Sequence, residues 1–354
     1  MKRMLLVCGV AILVASLVIG GCAKPTPAEP IKLLWATFTP PGDASTETMQ
    51  AYADELTQRS DGRVEIELSL GGALAPAPEL YGQLVAGACD MVFFMPNMTP
   101  GVFPYTEVVG LPCFLPKADV STKALNTIMK KGYYDTEWDK VKLLYAFTGS
   151  GAIIYWRDKP ITTIADFADK KIRVFSDTQA SAMSALGAVP VFMPVGECYG
   201  ALEKGTVDGM WGGYFACIPY KFYEVAKYCT EMLMFAGPLC SAMNLDSYNK
   251  LPKDIQAIID EMSYPNETWA IDAAKRQDAA EAEGIKKFTE YGRIDQLAPG
   301  ELSKMEQLLA PIWTDWIDYM EGKGLKPKEM LAEFYSTFEA AGVEKPFVGY
   351  TPSP

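Results

Sequence analysis

Between Lys170 and Tyr214 the chain reads KKIRVFSDTQASAMSALGAVPVFMPVGECYGALEKGTVDGMWGGY, and this succession constrains the fold more than any other stretch. Ile172, Val174 and Phe175 form a short β-rich run around one charged residue, Arg173. Asp177 and Thr178 offer an N-cap to an alanine-rich helix that stops at Gly187. A second apolar run, Val189 to Met193, precedes a second helix from Glu197 to Lys204, closed by Gly205, and Val207 to Trp211 returns to a strand. Such short alternation of strand and helix implies parallel strands with helices packed on their faces. The cation inside the first strand is the informative feature, because Lys and Arg are rarely buried unless paired. Two readings are open. Arg173 sits at the strand end, solvated or paired to an aspartate; or it faces a cleft and grips an anion, its planar fork matching a carboxylate with two parallel hydrogen bonds.

The rest of the chain has room for a second unit of the same class. Its 354 residues suffice for two domains and no more than three, and 49% hydrophobic content with 12% aromatics supports sizeable cores. Residues 1–22 read as a targeting segment: Lys2 and Arg3 make a basic start, and Leu5 to Ile19 is an apolar run too short for a secure membrane span. Ile19-Gly20-Gly21-Cys22 looks like a bacterial lipoprotein cleavage box; an ordinary signal peptide or a retained anchor is the alternative. Use of the box makes Cys22 the lipidated first residue and residues 23–30 (AKPTPAEP) a proline-rich tether on a membrane-anchored, extracytoplasmic protein. Loss of Lys2 and Arg3 leaves 30 basic against 44 acidic residues, a net charge of −14. That balance disfavours nucleic acid as a partner.

The chemistry the chain lacks narrows its function further. There is no histidine, which removes Ser-His and Cys-His nucleophile pairs and imidazole metal ligands. No C-x-x-C pair and no phosphate-cradling glycine loop is present, so neither a zinc ribbon nor a thioredoxin-type site is suggested and no cofactor is expected, while a metal ion accompanying a ligand is left open. Cys89, Cys113, Cys198, Cys217, Cys229 and Cys240 remain beyond the leader; a chain this large does not need staples, and free, buried thiols are expected. For an enzyme, the reading left is an exported hydrolase working with carboxylates alone.

Taken in order, Ile31 to Ala36 is a buried first strand, and Phe38-Thr39-Pro40-Pro41-Gly42 must be a loop at its C-terminal end, where open α/β sheets bind ligands. Met49, Tyr52, Ala53 and Leu56 give a helical stripe, and Val64 to Leu70 alternates as a strand with one wet face. Ala77 to Val85 is a helix carrying Glu79, Cys89 to Phe94 a strand, and Val141 to Phe147 a strand leading to the second lobe. Cys217 to Tyr228 is expected to be helical, Ala236 to Leu245 to cross back, and 266–291 to form one long helix with Pro265 as its bend point. Leu302, Met305, Leu309, Ile312, Trp313, Trp316 and Met320 mark a last amphipathic helix packed on the body.

Several of these motifs together resemble the solute receptors of tripartite ATP-independent periplasmic (TRAP) transporters. The resemblance is carried by Lys171-Ile172-Arg173-Val174, Leu186-Gly187-Ala188, Pro190-Val191, Met193-Pro194, Glu197, Tyr199, Ala201-Leu202, Gly205 and Val207-Asp208-Gly209. It extends to Gly62-Arg63-Val64, Gly101-Val102-Phe103-Pro104 and the Arg157-Asp158-Lys159-Pro160-Ile161 passage. It implies an α/β, two-lobed periplasmic binding protein fold with a hinge, each lobe a mixed sheet flanked by helices, and a long helix spanning both. The implied division is 31–150 plus 237–265 for lobe I, 151–236 plus 266–298 for lobe II, and 299–354 as a C-terminal helical segment. It further implies a non-enzymatic receptor, monomeric by default, that closes on a small organic acid and delivers it to a TRAP membrane permease. A ligand sensor of the same fold serving a signalling or other transport system is the rival.

In that family the arginine of K-I-R anchors the ligand carboxylate, which assigns that role to Arg173. Phe38, Trp156, Trp211 and Tyr214 are the expected apolar walls, and Glu79 the expected partner of a ligand hydroxyl. Two departures bear on the ligand. The arginine that sugar-acid receptors carry after the glycine of this strand is missing from Gly149 to Ile154, and Met210-Trp211-Gly212-Gly213-Tyr214 replaces a polar stretch. Both tilt the expectation towards a monocarboxylate with an apolar body.

Overall fold

The computed structural model describes residues 29–352 except 116 and 135, so the leader, Cys22 and all but the end of the tether lie outside the described residues. Two sheets organise the rest. The first has the order β2-β1-β3-β10-β4, from Ile31–Thr37 (β1), Val64–Ser69 (β2), Met91–Phe94 (β3), Val141–Thr148 (β4) and Pro238–Asn244 (β10). The second has the order β11-β9-β5-β8-β6-β7, from Ala152–Trp156 (β5), Lys171–Val174 (β6), Val189–Phe192 (β7), Gly209–Gly212 (β8), Tyr228–Met234 (β9) and Arg293–Gln296 (β11). In each sheet parallel pairs (β1 with β2 and β3; β6 with β7 and β8) adjoin antiparallel ones, β10 beside β3 and β4, β5 beside β8 and β9.

The helices are Ala44–Arg59 (α1), Leu80–Val85 (α2), Ala118–Ile128 (α3), Asp177–Ala185 (α4), Cys198–Lys204 (α5), Phe222–Val225 (α6), Leu245–Lys250 (α7), Lys253–Met262 (α8), Thr268–Tyr291 (α9), Glu301–Gly322 (α10) and Pro327–Ala340 (α11). Asp43 caps α1 through the amide of Ser45, and its buried stripe of Met49, Tyr52, Ala53 and Leu56 covers one face of the first sheet. Ser176 caps α4 through the amide of Gln179. Both caps satisfy first-turn donors that a helix leaves open.

The chain passes from the first sheet to the second at 149–151 and returns at 235–237. The two crossings press together: a Cβ on Gly151 would overlap the backbone of Leu233, and Leu233 and Phe235 hold left-handed φ angles of 50° and 61°. Two long helices brace the junction. Trp269, Ala270 and Ala273 of α9 pack in the first sheet's core, while Phe288 of the same helix packs in the second's. In α10, Met305 and Leu309 join the second core and Trp313, Trp316, Ile317 and Met320 the first.

Some local expectations are corrected. Cys217 to Tyr228 yields only the one-turn α6, because Pro219 interrupts the run and Lys221 takes a left-handed φ of 56°. Pro265 lies outside α9, in the connection from α8; the proline inside a spanning helix is Pro311 of α10, between its two core-facing halves. A further helix, α11, follows α10 and buries Met330, Leu331, Phe334 and Phe338. The six cysteines are free and buried. Among the described residues no helix is long and apolar enough to cross a membrane.

Candidate functional site

A cavity of about 250 Å³ opens between the two sheets, bounded by the loop after β1, the crossings and the C-terminal ends of β6 and β8. Ligands of open parallel sheets bind beyond the carboxyl ends of the strands. Arg173 lies near the end of β6, paired in register with Met210 of β8 and Val191 of β7. It is 3% exposed and lines the cavity. Its Nε donates to the carbonyl of Met193 at 2.9 Å and one terminal nitrogen to that of Trp211 at 3.1 Å. Its guanidinium lies 5.0 Å from the Phe175 ring centre, and the Cys198 thiol lies alongside. Among the described residues no carboxylate pairs with it. The two carbonyls aim the fork without neutralising it. An anion entering the cavity therefore meets a desolvated, positioned positive charge.

The walls are mainly apolar: Phe38, Met95 and Met98 on one side, Phe175, Trp211 and Phe235 on the other. Phe38 stacks on Phe93 with ring centres 5.9 Å apart, and Trp211 meets Phe235 edge-on at 5.0 Å. Thus Arg173, Trp211 and Phe38 come together at one cavity.

The other three expected residues are placed elsewhere. Trp156 is core: its ring packs edge-on against Phe167 and its indole N–H donates to Thr230 at 2.9 Å. Tyr214 is buried outside the cavity, its ring near Tyr155 and Phe288 and its hydroxyl at 3.2 Å from both Cys229 and Glu231. Alternation along a strand decides which aromatic faces a core and which a cleft, and the sequence does not say where that alternation starts. Glu79 is exposed at the head of α2, although its neighbours Ala77 and Pro78 do line the cavity.

The carboxylate at the cavity is Asp43, 1% exposed, with one oxygen accepting the Ser45 amide at 2.8 Å. Burial pushes its carboxyl up to about 6, against the lowering effect of the Ser45 hydrogen bonds. The signal for it was the helix cap just after the loop that follows β1. Tyr220, also unforeseen, lines the cavity with its hydroxyl buried and unpartnered, as is the indole N–H of Trp211. Behind the cavity, buried Glu281 of α9 accepts from Ser150 at 2.6 Å and from the amide of Phe215, tying the spanning helix to one crossing and to the second lobe. Among the described residues no group of three or more acidic or thiol side chains is placed to hold a metal ion.

Comparison with known proteins gives a consistent picture. The family described as bacterial extracellular solute-binding protein, family 7, matches residues 35–318. A solute-binding protein of Chromohalobacter salexigens is 30% identical over 254 residues, covering 70% of this chain and 72% of the relative. The ectoine-binding periplasmic protein TeaA of Halomonas elongata is 24% identical over 314 residues, 86% of this chain and 89% of TeaA. Among solved structures, a TRAP solute-binding protein of Rhodoferax ferrireducens in complex with copurified benzoate superimposes with a TM-score of 0.82 at 25% identity, covering 88% of this chain and 98% of that one.

Proposed function

The chain belongs to family 7 of the bacterial extracellular solute-binding proteins, the receptors of TRAP transporters, and we propose that it captures a monocarboxylate with an apolar body by closing its lobes. The carrying observation is Arg173: a buried cation without a carboxylate partner among the described residues, in a cavity otherwise walled by Phe, Met and Trp side chains. A ligand carboxylate completes that group, and a ligand without one leaves it desolvated and unmatched. Size fits as well. About 150 Å³ is enough to hold benzene, so about 250 Å³ admits one ring with substituents. The benzoate in the Rhodoferax ferrireducens protein is an acid of this kind.

In this reading 31–150 with 237–265 and 151–236 with 266–298 are the closing lobes, and 299–354 braces them from behind. The closed form presents its solute to a TRAP permease in the membrane, to which Cys22 tethers the receptor, a monomer, by a lipid. A thermal-shift screen against organic acids tests the site. An acid at about 100 times its dissociation constant adds about 2.7 kcal/mol of stability. Arg173→Ala is expected to weaken that acid by roughly 2–5 kcal/mol; a variant that binds as tightly as the parent refutes the anchor. The tether has its own check: Cys22→Ser moves the receptor from the membrane fraction to the soluble one.

A further inference from the structure

We propose that the bound acid also carries a hydroxyl group, and that Asp43 and Tyr220, which line the same cavity as Arg173, receive it. The proposal rests on the reading of the cavity as an organic-acid site and asks what the rest of the solute must offer.

An account of the polar side chains around the cavity leads there. Thr39 spends its hydroxyl on Thr37 and Thr46, both at 2.8 Å, and Ser150 gives its hydroxyl to Glu281. Arg173 is the anion's partner. What remains is Asp43 with Ser45 bonded to it, from the first lobe, and from the second the Tyr220 hydroxyl and the indole N–H of Trp211, of which the hydroxyl is the one that can both donate and accept. One carboxylate oxygen of Asp43 accepts the Ser45 amide, and among the described residues no cation pairs with the group. Capping α1 does not require a buried charge, since Ser or Asn caps as well without one. The Tyr220 hydroxyl is buried and makes no hydrogen bond, its ring stacked on Phe222 with centres 5.5 Å apart. The charges of both Asp43 and Arg173 reach it.

Buried polar groups in folded proteins nearly all find partners, and an unmade bond carries the full desolvation penalty. An acid with a purely hydrocarbon body would close the cleft over a carboxylate bonded only to Ser45 and an unsatisfied phenol. A ligand hydroxyl answers both at once, donating its proton to Asp43 and accepting from Tyr220. Sites built to bond a hydroxyl reject the analogue that lacks it far more strongly than apolar sites reject an added group.

The experiment compares matched acids on the mature receptor by calorimetry: benzoate with its three monohydroxy isomers, and phenylacetate with its hydroxy derivatives. At least one hydroxylated acid is expected to bind ten-fold or more tighter than its parent. Asp43→Asn, which keeps a capping oxygen, and Tyr220→Phe, which keeps the ring, should each cut that advantage to three-fold or less. The readout is the ratio of the hydroxylated acid's affinity to the parent's within each variant, the parent's own affinity being expected to rise once an unmatched polar group leaves its cavity, and a melting curve for each variant checks its folding. Acids that bind with no preference for the hydroxyl, or a preference that survives both substitutions, overturn the proposal while leaving the receptor reading intact. Failure of every acid to bind overturns the reading of the cavity as a site for acids with an apolar body, and this proposal with it, while the family assignment stands.

Discussion

Arg173 and Asp43 carry opposite charges into one cavity from different sheets, and each is buried with its charge unanswered by the other. For Asp43 the cost can be read from its titration. A carboxyl raised from 3.8 to about 6 loses roughly 2–3 kcal/mol when ionised in the folded state. The folded protein holds this proton where the unfolded chain has released it. Its contribution therefore falls as pH rises from about 4 to about 6 and stays low above that. Asp43→Asn should then stabilise the ligand-free receptor at pH 7.5 by up to about 2 kcal/mol, several degrees in Tm, and by almost nothing at pH 4. Melting curves of both proteins at the two pH values decide this; an Asn variant less stable at pH 7.5 contradicts it. Arg173 was legible in the sequence because a charge inside an apolar strand stands out. Asp43 was not, since an aspartate before a helix is an ordinary cap and only its burial marks it.

At the scale of elements, α9 does most to hold the lobes in register. Gly284 of this helix lies so close to the second lobe that a Cβ would overlap the carbonyl of Tyr214. Gly284→Ala must push helix and lobe apart, and the overpacking should destabilise the protein by about 1–3 kcal/mol despite alanine's better helix propensity. A Tm equal to or above that of the parent would show the contact to be slack. The helix itself was predictable from 26 residues of alanine and charge broken only by a glycine, as were the strands around Arg173 from their β-branched runs. The stretch from Cys217 to Tyr228 was not. Its composition suits a helix, but Pro219 and the turn at Lys221 leave one helical turn.

Across the described residues, Asp43 is one of five buried or half-buried carboxyls pushed up mainly by desolvation, with Glu107, Glu137, Asp278 and Glu281. Glu107, Glu137 and Glu281 are all raised to about 7, Glu137 in spite of hydrogen bonds from Thr106 and the Tyr105 amide. Each binds its proton more tightly folded than unfolded, so stability should decline from about pH 5 to pH 7.5 and then level. Of the carboxyls held low, Asp254 and Asp260 are exposed, Asp166 is half-buried and Glu301 is buried; their contribution is lost only as pH falls below about 4, and that of the exposed pair is weak. Thermal melts from pH 4.5 to 8.5 check the sign, and a Tm that climbs steadily to pH 8 would reverse it. The two-lobed architecture was legible through the family resemblance that the motifs carry. The identity of the second brace was not, because α10 reads as one amphipathic stripe and nothing in that pattern says its halves serve different cores.

The place of β10 has a consequence for how the protein comes into being. It lies between β3 and β4, yet it begins at Pro238, 90 residues after β4 ends at Thr148 and 144 after β3 ends at Phe94. While a nascent polypeptide has not reached residue 244, its first sheet is missing an interior member and cannot close. Most of the second sheet is therefore synthesised before the first can be finished, so a fragment that ends before Pro238 is expected to carry an incomplete first sheet.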